Sequence, residues 1–129
     1  MSAEPTEGYC ERDLNNMNSF SNHRVCPKGS KEYIAFHVKV DFSVKEDSDY
    51  EFFLPADLGL GGFTLVDGVV LKESTEDLFD SNALDVDTRL QRGAHTLEVY
   101  GAEDCCDDDL SWKFAVNDGD EEEFTLRNL

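Results

Sequence analysis

A chain of 129 residues, 40% of them hydrophobic and nine of them Phe, has the length of one ordinary domain and enough apolar mass for a core, so it is not an acidic disordered chain throughout. A formal net charge of −18 excludes nucleic acid as a partner, and also anionic lipid bound through a basic patch; it favours divalent cations, basic partners or simple solubility. No run approaches the roughly 20 apolar residues that span a bilayer, so membrane insertion is not expected, and Met1-Ser2-Ala3-Glu4-Pro5 lacks the basic and apolar regions of a signal peptide. The chain is therefore read either as cytosolic or as secreted with its leader already removed.

Residues 1–31 are polar, carry Cys10 and Cys26, and hold too few apolar residues to form a core alone; they are expected to lie as an irregular segment on a single domain spanning 32–129. From Tyr33 the pattern changes. Ile34, Phe36, Val38, Val40, Phe42 and Val44 alternate strictly with more polar residues, the period of a long half-buried strand and not of a helix. Asp47-Ser48-Asp49 reads as a turn, Tyr50, Phe52 and Leu54 alternate again, and Pro55 closes that strand. Gly59, Gly61 and Gly62 mark a tight loop. Asp67-Gly68 between Phe63–Val66 and Val69–Leu71 is a strong hairpin signal, because a type I′ turn needs positive φ twice.

Residues 73–88 read as a long acidic connection, with a short strand around Leu84 and Val86. Arg92-Gly93 is a turn, and His95, Leu97 and Val99 form a strand closed by Gly101. Leu110, Trp112, Phe114 and Val116 form the last strong strand; Asn117-Asp118-Gly119-Asp120 turns, and Phe124 with Leu126 suggests a short edge strand. At least five strands, no helical period and no repeat imply an all-β, antiparallel, jelly-roll-like β-sandwich. Phe36, Val38, Val40, Phe52, Leu65, Leu97, Val99, Trp112 and Phe114 are its expected core. Trp112, at an inward strand position, is expected in the core or at its edge, with stacking on a ligand as the alternative.

Cys105 and Cys106 are adjacent, and a bond between neighbours would be strained. The economical arrangement bonds one of Cys10 and Cys26 to each, stapling the N-terminal segment to the domain; each loop closed is then worth about 4 kcal/mol in the chain-entropy model. A zinc site with His23, or four free thiols in a cytosolic protein, are the other readings. If the disulfides form, the compartment is oxidising and the protein secreted or on a cell surface.

Between Glu103 and Glu123 stand ten acidic residues and one Lys. A fixed loop carrying Asp107, Asp108 and Asp109 is suited to Ca²⁺, which takes six to eight oxygen ligands, although the spacing is not that of an EF-hand; a solvated acidic surface is the plain alternative. No nucleophile motif surrounds His23, His37 or His95, and no glycine-rich phosphate loop precedes a helix, so an enzyme is not expected. His37 is expected on a solvated strand face and His95 as a satisfied histidine at the core edge.

The runs Asp49-Tyr50-Glu51-Phe52-Phe53-Leu54-Pro55-Ala56-Asp57, Gly62-Phe63-Thr64-Leu65-Val66-Asp67-Gly68-Val69-Val70 and Leu90-Gln91-Arg92-Gly93-Ala94-His95-Thr96-Leu97-Glu98-Val99-Tyr100 together resemble the protective-antigen-type domain, a β-sandwich of bacterial toxins, glycosidases, yeast flocculins and epithelial adhesins. The likeness covers roughly residues 33–116. It implies a calcium-dependent carbohydrate site in which Asp57 matches the first of two consecutive aspartates, Leu58 stands where the second would be, and loop 102–109 supplies further ligands. It also implies N-terminal cysteines bonded to the neighbouring pair. The expected function is an extracellular, non-catalytic binding or adhesion module with Asp57, Asp107, Asp108, Asp109 and Trp112 at its ligand site; the alternative is a structural subunit of a surface, capsid or fibre assembly.

Overall fold

The computed structural model describes residues 34–76, 78–103 and 112–124. They form ten strands: β1 (Ile34–Val44), β2 (Ser48–Phe53), β3 (Ala56–Leu58), β4 (Gly62–Val66), β5 (Val69–Ser74), β6 (Leu78–Ser81), β7 (Val86–Leu90), β8 (Gly93–Glu103), β9 (Lys113–Val116) and β10 (Glu122–Glu123). Among the described residues there is no helix. One sheet has the order β1-β8-β4-β5 and a second β10-β9-β2-β7, while β3 and β6 pair as a small ribbon; every pairing is antiparallel.

The strict alternation from Ile34 to Val44 produces the longest pairing, β1 with β8 over eleven positions from Ile34↔Glu103 to Val44↔Gly93. Because directly opposite residues share a face, Val38 stands with Val99 and Phe42 with His95 on the same side. Val38, Phe42, Val44, Leu97, Val99 and Val66 of the first sheet share one core with Tyr50, Phe52, Val86, Leu90 and Phe114 of the second. Phe42 joins the layers: its ring centroid lies 5.8 Å from that of Phe52, edge to face, and 5.9 Å from that of Tyr50. Two antiparallel sheets sharing an apolar core between them have the layering of a β-sandwich.

The turns follow their residue types. Asp67 (φ 51°) and Gly68 (φ 79°) both take positive φ, as a two-residue β4–β5 hairpin requires. Asn117 (φ 51°) and Asp118 (φ 56°) use the tolerance of Asn and Asp for that region after β9. Asn117 also ties its turn to β2: its N–H donates to Asp49 O at 2.8 Å, and its Oδ1 accepts from Asp49 N–H at 2.9 Å. Among the described residues two polar ones are buried, and both are satisfied: Ser48 Oγ donates to Glu46 O at 2.8 Å and Thr64 Oγ1 to Leu84 O at 2.9 Å.

The structure corrects several sequence expectations. Leu65 is not a core residue; Thr64 and Val66 occupy the inward face of β4 and Leu65 the outward one. The cause is register: Thr64 faces Val99 and Val66 faces Leu97, two inward residues of β8, so their neighbour must point away. Thr64 can take an inward place because its hydroxyl finds the Leu84 carbonyl. Val40 is half-buried against the core, not within it. The stretch 73–88 is not a single connection, since it holds the end of β5, β6 and the start of β7, with buried Leu84 in the turn between the last two. β8 runs past Gly101 to Glu103. The core positions of Val38, Phe52, Leu97, Val99, Trp112 and Phe114 agree with the expectation, and the side chain of Phe36 lies outside the described residues.

Candidate functional site

Asp57 is the middle residue of β3, and the turn that follows β3 docks on the far end of β8: Leu60 N–H donates to Ala102 O at 3.1 Å and Ala102 N–H donates to Gly61 O at 3.0 Å. The strand that carries Asp57 therefore leads into backbone bonded to the end of β8, the last described residues before position 104. The Asp57 side chain, Asp107, Asp108, Asp109 and all four cysteines, Cys10, Cys26, Cys105 and Cys106, lie outside the described residues. Among the described residues no group of three or more His, Cys, Asp or Glu is arranged to hold a metal ion. Trp112, just before β9, is 2% exposed and donates its indole N–H to Pro55 O at 3.2 Å. Its ring therefore lies among the core side chains and not on an open stacking face.

Three features come together that the sequence pattern does not reveal. The first is an aromatic row across the outer face of the β1-β8-β4-β5 sheet. His37 and Tyr100 are register partners on β1 and β8, and Tyr100 and Phe63 on β8 and β4. Their rings are nearly parallel, with centroids 4.1 Å apart at 4° for His37–Tyr100 and 4.9 Å apart at 16° for Phe63–Tyr100. These separations match the spacing of neighbouring strands, about 4.8 Å, so the rings stand on edge and stack across the sheet. Glu98 braces the row: its Oε2 is 2.6 Å from His37 Nε2 and accepts from Tyr100 Oη at 3.5 Å. A sugar packs against an aromatic face, and here the faces between the three rings are spent on one another.

The second feature is the Asp67–His95 pair beneath the hairpin turn. His95 Nδ1 lies 2.6 Å from Asp67 Oδ2 and His95 Nε2 2.6 Å from Gln91 O, while Thr96 N–H donates to Asp67 Oδ1 at 2.9 Å. Both ring nitrogens face acceptors, an arrangement that favours the doubly protonated imidazolium over either neutral tautomer. The hydrogen bond to Asp67 is the main cause that raises the His95 pKa, with the bond to Gln91 O and the Asp67 charge adding to it against burial. Burial opposes the ionisation of Asp67, but the bonds from His95 and Thr96 and the nearby positive charge outweigh it and lower its pKa. A carboxylate–imidazole pair is also the core of many general-base sites, yet the nitrogen that would accept a substrate proton here already donates to a backbone carbonyl.

The pair predicts a pH signature. A raised His pKa contributes stability that is fully present below the unfolded value, near 6.5, and is lost as pH rises through the folded one; a lowered Asp pKa contributes stability present above 3.8 and lost as pH falls through the folded value. The difference in Tm between the wild type and His95→Gln should therefore be widest between about pH 4 and 6.5 and should narrow above that range. Thermal melts across pH 3–9 measure this, and a difference that stays constant with pH would contradict the imidazolium assignment.

The third feature is two surfaces of opposite character. On the second sheet Glu51 faces Asp87 in register, and burial first, then Asp87, Asp118 and Glu121, raise its carboxyl pKa. On the first sheet the outermost strand, β5, leaves Val69 60%, Val70 49% and Leu71 38% exposed, with Phe63 of β4 at 36% beside it. Neighbouring strand residues point to opposite faces, so three successive exposed apolar residues mean that, among the described residues, nothing covers either face of β5.

Comparison with protein-family models, with curated proteins and with solved structures finds no match to this chain. The class that the fold and these surfaces define is a two-sheet antiparallel β domain with an acidic surface and, among the described residues, an exposed apolar edge at β5.

Proposed function

We propose that this protein is a non-catalytic, sandwich-type building and binding module that works by protein–protein contact through the β4–β5 edge. The observation that carries this reading is the run of exposed Val69, Val70 and Leu71 on the outermost strand, an apolar edge of the kind that soluble monomers cover or blunt with charge. The occupied Nε2 of His95 and the stacked His37–Tyr100–Phe63 row favour a structural use of the residues that sequence patterns most readily suggest for chemistry or sugar stacking. In this reading the strand connections are jelly-roll-like, and disulfides from Cys10 and Cys26 to Cys105 and Cys106 fix the N-terminal segment in an oxidising, extracellular setting.

The test is the mass of the protein purified from its native source, measured by light scattering in a mild buffer. The expected result is a particle heavier than one chain that falls to one chain when Val70 and Leu71 are both changed to Glu. A wild-type protein that runs as a single chain from its native source would overturn the reading.

A second reading, a calcium-dependent carbohydrate site between Asp57 and the segment with Asp107, Asp108 and Asp109, draws support from the hydrogen bonds of Leu60 and Gly61 with Ala102, which bring the turn after β3 to the end of β8, the strand that precedes those aspartates in sequence. It is the reading implied by the likeness to the protective-antigen-type domain. It requires heat on titration with several millimolar Ca²⁺, a range typical of extracellular modules with Kd about 10⁻⁴–10⁻³ M, and loss of that heat in the Asp57→Asn/Asp108→Asn variant.

A further inference from the structure

We propose that the partner of β5 is an extended segment of another protein, apolar at its centre and flanked by basic residues, which adds to the sheet as a fifth strand. The inference rests on the building-module reading above and names the occupant of its edge. Val69 faces Val66 on the inner side of the sheet and Val70 faces Leu65 on the outer side, so the apolar surface wraps both faces of one strand. Among the described residues no strand pairs with the outer backbone of β5. A partner that covers both faces and supplies backbone donors and acceptors to that edge is a strand; a flat surface docked on one face would leave either Val69 or Val70 wet.

Charge decides which strand. A second copy of this chain brings another −18 to the contact. The local pattern is unfavourable as well. An antiparallel β5–β5 pairing centred on Val70 would match apolar residues to apolar residues, but it would also set Asp67 of each copy beside Glu73 of the other, and like charges directly opposite destabilise a ladder. From Asp67 to Glu76 the chain carries three acidic residues against Lys72 alone. A segment with lysines or arginines at its ends meets this pattern, and its approach is steered by the field of the whole domain. The six residues of β5 set the length of the paired segment at about 20 Å.

The experiment is a residue-resolved NMR titration of the full chain at physiological salt with three synthetic peptides. One has a six-residue Val/Ile centre with two lysines at each end; the second has glutamates in place of the lysines; the third is the lysine peptide with a central proline. The lysine peptide should shift the β5 amides and those of its neighbour β4. Binding should weaken at least about tenfold, equivalent to one buried Val side chain, in Val70→Glu and in Val69→Glu. Both positions are exposed, so the fold should survive these changes. The proline and glutamate peptides should leave β5 unmoved, and Glu51→Gln on the opposite sheet should leave binding intact.

Shifts centred on Glu51, Asp87 and Asp118, or equal binding of the lysine and proline peptides, would overturn the inference by showing charge attraction without strand addition. Amide shifts in β5 that depend on protein concentration without peptide would replace the partner with a second copy, overturning the inference while the building-module reading stands. Slow hydrogen exchange at β5 in the dilute, isolated chain would show that the edge is covered from within, overturning both.

Discussion

Phe114→Ala is expected to remove about 3–5 kcal/mol of stability, the range for truncating a buried aromatic residue. Phe114 is 1% exposed on the inner face of β9, opposite Phe52 in register. Its ring lies 5.4 Å from Phe124 and 6.3 Å from Tyr50, nearly parallel to the latter. Removing it opens a cavity walled by β2, β9 and Phe124, and the two paired strands cannot close over it without breaking their pairing. A domain of this size has only about 5–15 kcal/mol in total, so the variant should be marginally folded. Urea unfolding should show a lower midpoint at an unchanged slope, and Phe114→Leu should recover most of the loss. A loss below about 1 kcal/mol would mean that this side chain is not in the core.

Gly61→Ala should be nearly as damaging for a different reason. Gly61 has φ +84°, and an added Cβ would sit 2.2 Å from the carbonyl oxygen of Ser74 at the end of β5. That obstacle is backbone and cannot swing aside. Left-handed φ costs about 1–2 kcal/mol for a residue with a side chain, and overpacking adds about 1–3 kcal/mol, so the total is about 2–5 kcal/mol. Gly68→Ala is the control that separates the two causes. Gly68 has φ +79°, but a Cβ there meets nothing within 4 Å, so only the φ cost applies. Equal losses in the two variants would show that the close approach of Ser74 to Gly61 is not a constraint.

These residues also show how far the sequence speaks. The alternation from Ile34 to Val44 and in Tyr50, Phe52 and Leu54 writes out β1 and β2, because a strand half-buried in a sandwich imposes period two on its own residues. Asp67-Gly68 declares its hairpin because few other pairs accept positive φ twice. Leu65 was not legible in the same way: Phe63-Thr64-Leu65-Val66 has an apolar residue on both faces, and only the pairing with Val99 and Leu97 decides that Thr64 and Val66 point inward. β3 and β6 are short and irregular in register, too brief for a period to show.

The candidate site is less legible still. His37, Tyr100 and Phe63 lie far apart in sequence and meet because three strands align them. His95 and Asp67 meet because the β4–β5 turn that carries Asp67 is hydrogen-bonded to Thr96, next to His95 on β8. Val69-Val70-Leu71 reads as a buried strand by composition, since an apolar run looks the same whether a second layer covers it or not. Only the sheet order, with β5 outermost, turns that run into a surface.

Whether β5 is covered in the working form of the protein is the decisive question. Amide hydrogen exchange compared between the particle from the native source and the separated chain measures this residue by residue. The amides from Val69 to Ser74 should exchange more slowly in the particle, while those of the opposite face around Glu51 and Asp87 should exchange alike in both. Equal exchange at β5 in the two forms, or protection confined to another surface, would contradict contact through the β4–β5 edge.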